Sequence, residues 1–216
     1  MTSKRGDSED VRKKLIQDLF TILNTKEITD RVKNNAINYA IYNWTEVNGK
    51  YEGNEFWSEK AYKLAYVKRK DRAYQLVHEH IVPRSVIREK IINLENKDIL
   101  SLYLIFEKYV IAAVITKEED NLFSKDYDGE KLRSKMPKEF YREEEERKEW
   151  LDNPWARYLC VNSYNEIENN INIYTITWKG KGKDEGNWYL GPEKDSKNIA
   201  SYLLNESFLK IPQIEG

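Results

Sequence analysis

Residues 74–84 read YQLVHEHIVPR and hold both histidines of the chain, His78 and His80, on either side of Glu79. Apolar, β-favouring residues lead into and out of this group, and a proline follows it within three residues. A run of this kind, ended by a residue that cannot donate to a sheet ladder, predicts a short strand. Side chains alternate along a strand, so His78 and His80 are expected to share one face.

A second strand is predicted at residues 109–115, which are apolar and rich in β-branched side chains. Thr116 follows as a helix N-cap with Glu119 three residues later, which is the pattern of a capping box. Asp120 then lies one turn into the helix. Residues 84–106 separate the two strands and carry apolar side chains at helical spacing, which predicts a helical insertion.

This strand–strand–helix pattern resembles the HNH, or ββα-metal, nuclease superfamily over residues 72–123. In that family an acidic residue, a histidine, about two apolar residues and a proline close the first strand, as EHIVP at 79–83 does here. The resemblance implies that His80 is the general base and that Glu79 is a metal ligand. It also implies that Asp120 is a second ligand, at the position where relatives usually carry a histidine, and that the cofactor is Mg²⁺ or Mn²⁺.

The chemistry of these residues suits that role, although a simpler interpretation stays open. A histidine with an ordinary pKa near ~6.5 can accept a proton at neutral pH, and carboxylates are ligands that hard cations prefer. The orienting asparagine of the family has no counterpart in residues 110–115. His78 is predicted to support the site without reacting. Glu79 and His80 could instead be a polar pair without a functional role, either at the surface or hydrogen-bonded in the core. Asp120 could likewise be an ordinary acidic residue in the first turn of a helix.

The densest basic cluster directly precedes the histidine stretch and consists of Lys68, Arg69, Lys70 and Arg72. Together with Arg84, which follows the stretch, these residues are predicted to contact nucleic-acid phosphates. The alternative for such a charge run is a solvated face without a partner.

The remaining segments predict an α+β protein. The first third has apolar residues at helical spacing, whereas the last third has a strand, a turn and a second strand. The predicted helices of the first third lie at 8–23, 25–44 and 58–68, and the C-terminal elements are a hairpin at 171–190 and a helix at 196–209. We therefore expect a helical N-terminal part, a ββα-metal-like core with a helical insertion, and a C-terminal β-hairpin and helix. One domain is expected over 1–216, with a candidate sub-boundary near Gly129.

Composition narrows the class of protein. The net charge is -1 and charged residues make up 34% of the chain, so any contact with nucleic acid needs a local basic surface. The single cysteine, Cys160, excludes an internal disulfide and a cysteine-built zinc site, which favours a cytoplasmic location. The polar residues 1–10 are unlike a signal peptide, and no apolar run reaches the ~18 residues of a membrane span.

The first functional hypothesis is a metal-dependent nuclease that hydrolyses phosphodiester bonds, with DNA as the expected substrate, in a restriction, anti-phage or mobile-element system. The alternative is a non-catalytic phage or mobile-element protein that binds or inhibits a protein partner. A third hypothesis is a DNA-binding module without catalysis. The sequence does not predict the oligomeric state.

Overall fold

The computed structural model describes residues 5–51, 54–64, 75–166, 169–181 and 188–195, with the backbone alone for 5–8, 176–181 and 188–195. The closing helix predicted at 196–209 and the basic cluster of Lys68, Arg69, Lys70 and Arg72 lie outside these residues, as does the end of the helix predicted at 58–68, after residue 64. The class is α+β, as predicted. The helices are α1 (Arg5–Asn24), α2 (Asp30–Thr45), α3 (Glu59–Leu64), α4 (Arg84–Ile92), α5 (Ile99–Tyr109), α6 (Lys117–Leu122) and α7 (Ala156–Tyr164).

Helices α1 and α2 form the predicted helical N-terminal part and pack against each other. The apolar stripe of α2 is buried, with Ile37 and Ile41 at 0% exposure and Trp44 at 3%. Helix α2 begins at Asp30, later than the predicted start at 25, because the preceding Thr29 takes the extended conformation of an N-cap, with φ -67° and ψ 153°.

The strands are β1 (Phe56–Ser58), β2 (Leu76–His80), β3 (Ala112–Thr116), β4 (Asp126–Tyr127), β5 (Glu130–Lys131), β6 (Ile173–Lys181) and β7 (Trp188–Asp195). Five of them form one sheet in the order β2-β3-β1-β6-β7, in which β1 and β3 are parallel and the other pairs antiparallel. Strands β4 and β5 make a separate two-stranded sheet. Within the described residues, strand β2 is therefore an edge strand of the larger sheet.

The predicted strand–strand–helix core is present. Strand β2 pairs antiparallel with β3, with His78 opposite Val114 and His80 opposite Ala112, and α6 follows β3 directly. Helices α4 and α5 form the insertion between the two strands. The second strand starts at Ala112 and not at 109, because α5 extends to Tyr109 and the backbone N–H of Val110 still bonds to Phe106 at 2.9 Å.

The predicted capping box closes the N-terminus of α6. The Thr116 hydroxyl accepts from the backbone N–H of Glu119 at 3.2 Å, and the Glu119 carboxylate accepts from the Thr116 backbone at 2.8 Å. A third group, the hydroxyl of Ser58, donates to the same carboxylate at 2.6 Å. Because Ser58 ends β1 and Glu119 begins α6, this bond joins the middle of the sheet to the helix start.

The C-terminal strands β6 and β7 pair antiparallel, as the two arms of the hairpin predicted at 171–190 should. The candidate sub-boundary near Gly129 falls at the tip of the β4–β5 hairpin. Asp128 and Gly129 have φ of 53° and 85°, and two consecutive positive φ angles are typical of a tight hairpin turn. Strand β1 was not predicted, since three residues give too short a run for any period to be recognised.

One large apolar cluster joins α1, α2, α4, α5, β3 and α7. Ile81 and Val82, which follow β2, are both 0% exposed in it, so the end of the histidine strand is anchored in the core. Across the described ranges, no helix has the length and apolar character needed to cross a membrane.

Candidate functional site

The two faces of β2 carry different chemistry. His78 and His80 point to the side of α2, where they meet Glu46 and Thr45 at the end of that helix. Glu79 points to the other side and contacts Arg157 of α7. The prediction that the histidines share a face is therefore confirmed, and it follows that Glu79 and His80 reach the site from opposite sides of an edge strand.

The histidine rings are packed tightly with aromatic and polar neighbours. The ring centroids of His78 and His80 are 5.4 Å apart with planes at 89°, and the Tyr42 ring stands 5.4 Å from His80 at 83°. The Nε2 of His80 lies 3.4 Å from the hydroxyl of Thr45. The Nδ1 of His78 lies 3.8 Å from a carboxylate oxygen of Glu46.

Both imidazoles are neutral at pH 7. Burial lowers the pKa of His78 to about 4, with the positive charge of Lys50 acting in the same direction. Burial likewise lowers the pKa of His80 to about 3, helped by the charges of His78, Arg84 and Arg157. Each ring therefore keeps a nitrogen lone pair that can accept a hydrogen bond or a proton. The Nε2 of His78 is buried and has no hydrogen-bond partner among the described residues.

Arg157 holds the other face of the strand. Its side chain is 0% exposed, and its Nη2 contacts the Glu79 carboxylate and donates to the backbone carbonyl of His80 at 3.0 Å. Its Nη1 donates to the carbonyl of Leu132 at 3.0 Å and to that of Arg133 at 3.4 Å. Burial raises the pKa of the Glu79 carboxyl, and the guanidinium of Arg157 opposes that rise.

Asp120 lies near Glu79, since its charge also raises the pKa of the Glu79 carboxyl. An oxygen of Asp120 is 3.4 Å from Nη2 of Arg133, whose Nη1 donates to the hydroxyl of Ser124 at 3.0 Å. The side chain of Asp120 is 14% exposed and that of Arg133 is 63% exposed. Each of the two predicted metal-ligating carboxylates therefore has a guanidinium partner.

The two predicted metal ligands, Glu79 and Asp120, face arginines in this arrangement. In the described part of the chain, no group of three or more His, Cys, Asp or Glu side chains is placed to hold a metal ion. Glu79 and Asp120 are both engaged by arginines, and His80 lies on the other face of the strand. The prediction of Mg²⁺ or Mn²⁺ stays a prediction.

A cavity of about 480 Å³ opens along the exposed edge of β2. Residues of α2 form one wall, the first turns of α4 form the end, and Arg133 and Ser134 form the other wall. His78, Glu79 and His80 all line it. We call this cavity the β2 cleft.

The charge of the β2 cleft is positive, although the chain as a whole has a net charge of -1. Four cationic side chains line it against two acidic ones, Glu46 and Glu79, and the two histidines are neutral. The cationic side chains are Lys50, Arg84, Arg88 and Arg133. Arg84 is the first residue of α4, so the positive end of that helix dipole also lies at the cleft.

The structure thus places four of the predicted residues, His78, Glu79, His80 and Arg84, around one cleft. Asp120 is connected to the cleft through Arg133. Two arginines that line the cleft, Arg88 and Arg133, were not predicted, and neither was the buried Arg157 that contacts Glu79. Arg88 had a signal in the sequence, because it lies four residues after Arg84 and thus on the same face of α4.

Comparison with models of known protein families, with curated proteins and with solved structures gave no match to this chain. The HNH resemblance therefore rests on residues 79–83 and 116–120, together with the antiparallel pairing of β2 with β3.

Proposed function

We propose that the β2 cleft binds a phosphodiester of a nucleic acid, DNA being the expected substrate, and hydrolyses it with His80 as the general base. The observation that carries the proposal is the concentration of Lys50, Arg84, Arg88 and Arg133 around two neutral histidines in one cavity. Lys and Arg neutralise the phosphates of nucleic acids, and guanidinium groups bind phosphate oxygens through paired N–H donors.

The environment of His80 fits a base whose strength depends on the substrate. In the free protein the pKa of His80 is about 3, chiefly because the ring is buried and to a smaller degree because of the charges of His78, Arg84 and Arg157. A bound phosphate would offset the charge of Arg84 and thereby raise the pKa of His80 from this low value. In the proposed reaction a water attacks phosphorus and gives its proton to His80. The bond to the leaving oxygen then breaks, and that oxygen takes a proton from solvent.

A second candidate is a nucleic-acid-binding protein without hydrolysis. The pairing of Asp120 with Arg133 favours it, because this carboxylate holds an exposed arginine that a binding site can use, while Glu79 is engaged by the buried Arg157. The other alternative, a binding or inhibitor protein that acts on a protein partner, has no support from a specific contact. Absence of any nucleic-acid affinity would favour it.

A cleavage assay tests the proposal. Purified protein is incubated with supercoiled plasmid, single-stranded DNA and RNA, in separate reactions with Mg²⁺, with Mn²⁺ and with EDTA. We expect cleavage of at least one nucleic acid, and activity with EDTA would show that no divalent ion is needed. Binding without cleavage in every reaction would leave the second candidate. Neither binding nor cleavage would exclude both.

A further inference from the structure

The second wall of the β2 cleft contains an arginine whose backbone is fixed while its side chain is exposed. The carbonyl of Arg133 accepts from Nη1 of the buried Arg157, and Nη2 of that group donates to the carbonyl of His80. One rigid guanidinium therefore ties the backbone of Arg133 to the end of β2. The Arg133 side chain is 63% exposed and lines the cleft.

The present partners of the Arg133 guanidinium leave it able to bind a further anion. It donates to Ser124 at 3.0 Å and meets Asp120 at 3.4 Å, which is a long contact for a charged pair. Exposed ion pairs contribute little to stability, so this side chain can rearrange at small cost. A guanidinium also has five N–H donors, more than these two contacts use.

Arg133 and Arg84 lie on different sides of β2. Arg84 is close to His80, whose pKa it lowers, and its guanidinium stacks 4.5 Å from the centre of the Tyr42 ring on the α2 side. Arg133 is on the α7 side, where its carbonyl accepts from Nη1 of Arg157 at 3.4 Å and its guanidinium meets Asp120 at 3.4 Å. Both side chains line the same cavity. A phosphate at the strand edge would therefore have a guanidinium on each side.

We infer that Arg133 is a substrate-binding residue that contacts a backbone phosphate of the nucleic acid across the β2 cleft from Arg84. The inference rests on the proposed function, since it assigns a contact within the same site. It also gives Asp120 a role as the group that orients the Arg133 guanidinium. Two guanidinium groups on opposite sides of a phosphate, each with paired N–H donors, fix both its position and its orientation, which a single cation does not do.

The test is a binding titration by fluorescence anisotropy in EDTA, with a labelled single-stranded DNA, its duplex, and the matching RNA. The variants are Arg133→Ala, Arg133→Lys, Arg133→Gln and Arg84→Ala. The matched control is Arg142→Ala, because the Arg142 side chain has the same exposed fraction, 63%, and also pairs with a carboxylate, that of Glu144. Each variant is first melted to confirm that it folds, and Arg133→Gln replaces Arg133→Ala if the alanine variant does not.

We expect Arg133→Ala to weaken binding about tenfold and to lower the salt slope by about one, measured between about 50 and 200 mM salt. Arg133→Lys should keep the salt slope of the wild type but recover only part of the affinity that Arg133→Ala loses. Lysine retains the charge and lacks the paired N–H donors of a guanidinium. Arg142→Ala should bind like the wild type.

Three outcomes would overturn different claims. If Arg84→Ala weakens binding and the Arg133 variants do not, the inference about Arg133 is wrong and the proposed function stands. If the wild type binds but no cleft variant differs from it, nucleic acid binds elsewhere and both claims are wrong. If the wild type binds none of the three nucleic acids, the proposed function itself fails.

Discussion

Arg157 donates a hydrogen bond of 3.0 Å to the backbone carbonyl of His80, a residue 77 positions earlier in the chain. The same guanidinium contacts the Glu79 carboxylate and the carbonyl of Leu132. Its plane also stacks on the Phe123 ring at 4.4 Å. One fully buried side chain therefore sets the position of β2, of the loop that carries Arg133, and of the site between them.

Replacement of Arg157 by methionine should destabilise the protein strongly. Removing one partner of a buried ion pair costs about 3–5 kcal/mol, because the remaining charge stays buried without compensation. The measurement is urea unfolding of Arg157→Met and of the double variant Glu79→Gln/Arg157→Met, which should recover part of the loss. Arg142→Met is the control and should cost no more than about 1 kcal/mol. A loss in Arg157→Met as small as in the control would contradict the structural role of this group.

The Glu119 carboxylate should also be important for stability. One of its oxygens accepts from Ser58, from the Thr116 backbone and from the Thr116 hydroxyl, at 2.6, 2.8 and 3.0 Å, and Glu119 is 1% exposed. Glu119→Gln weakens charge-assisted bonds, so we expect a loss of about 1–3 kcal/mol in the free energy of unfolding. Glu118→Gln changes an exposed residue of the same helical turn and should have little effect. Equal losses in the two variants would refute this explanation.

The buried histidines should make the protein sensitive to mild acid. The pKa of His78 is lowered from 6.5 to about 4, so between these values the unfolded chain binds a proton that the folded chain does not. The contribution of His78 to stability is complete above pH 6.5 and is lost as the pH falls towards 4, at up to about 1.4 kcal/mol per pH unit.

The variant His78→Gln isolates this effect, since glutamine does not titrate. We expect a smaller slope of unfolding free energy against pH between 6 and 4.5 than in the wild type. The comparison concerns slopes, so a general loss of stability in the variant does not disturb it. Identical slopes would mean that His78 keeps an ordinary pKa in the folded protein.

Divalent metal should bind the free protein weakly. Mg²⁺ or Mn²⁺ has to compete with Arg157 for Glu79 and with Arg133 for Asp120. A metal that binds only the folded state raises the melting temperature. We expect little rise in the wild type at millimolar Mg²⁺ or Mn²⁺, and a larger one in Arg133→Ala, where Asp120 has lost its partner. A large rise in the wild type would show that the carboxylates bind metal as the HNH resemblance implies.

Local signals in the sequence were sufficient for much of the fold. The capping box of Thr116 and Glu119 lies within one helical turn, and the alternation around His78 and His80 depends only on neighbouring residues. Because these features depend on local backbone geometry, the sequence alone is sufficient to predict them. The helical insertion between the two strands follows from the same kind of periodicity.

The contacts that build the site could not be read in this way. Arg157 lies among apolar residues at 154–159, whose residue types do not indicate any partner, and its partners are 24 to 78 residues away. Ser58 reaches Glu119 across 61 residues. A pattern of residue types does not specify which distant carboxylate an arginine or a serine will meet. For this reason the carboxylates were predicted as metal ligands without their guanidinium partners.

The most direct test of the proposed function separates binding from chemistry at His80. Cleavage of a labelled oligonucleotide is followed in a single turnover for the wild type, His80→Ala and Arg142→Ala. The protein is in excess over the oligonucleotide, at a concentration above the dissociation constant of the complex. We expect His80→Ala to bind comparably and to cleave about 10²–10⁴-fold more slowly, which is the usual contribution of a general base, and Arg142→Ala to match the wild type. Cleavage by His80→Ala at the wild-type rate would contradict the assignment of His80 as the catalytic base.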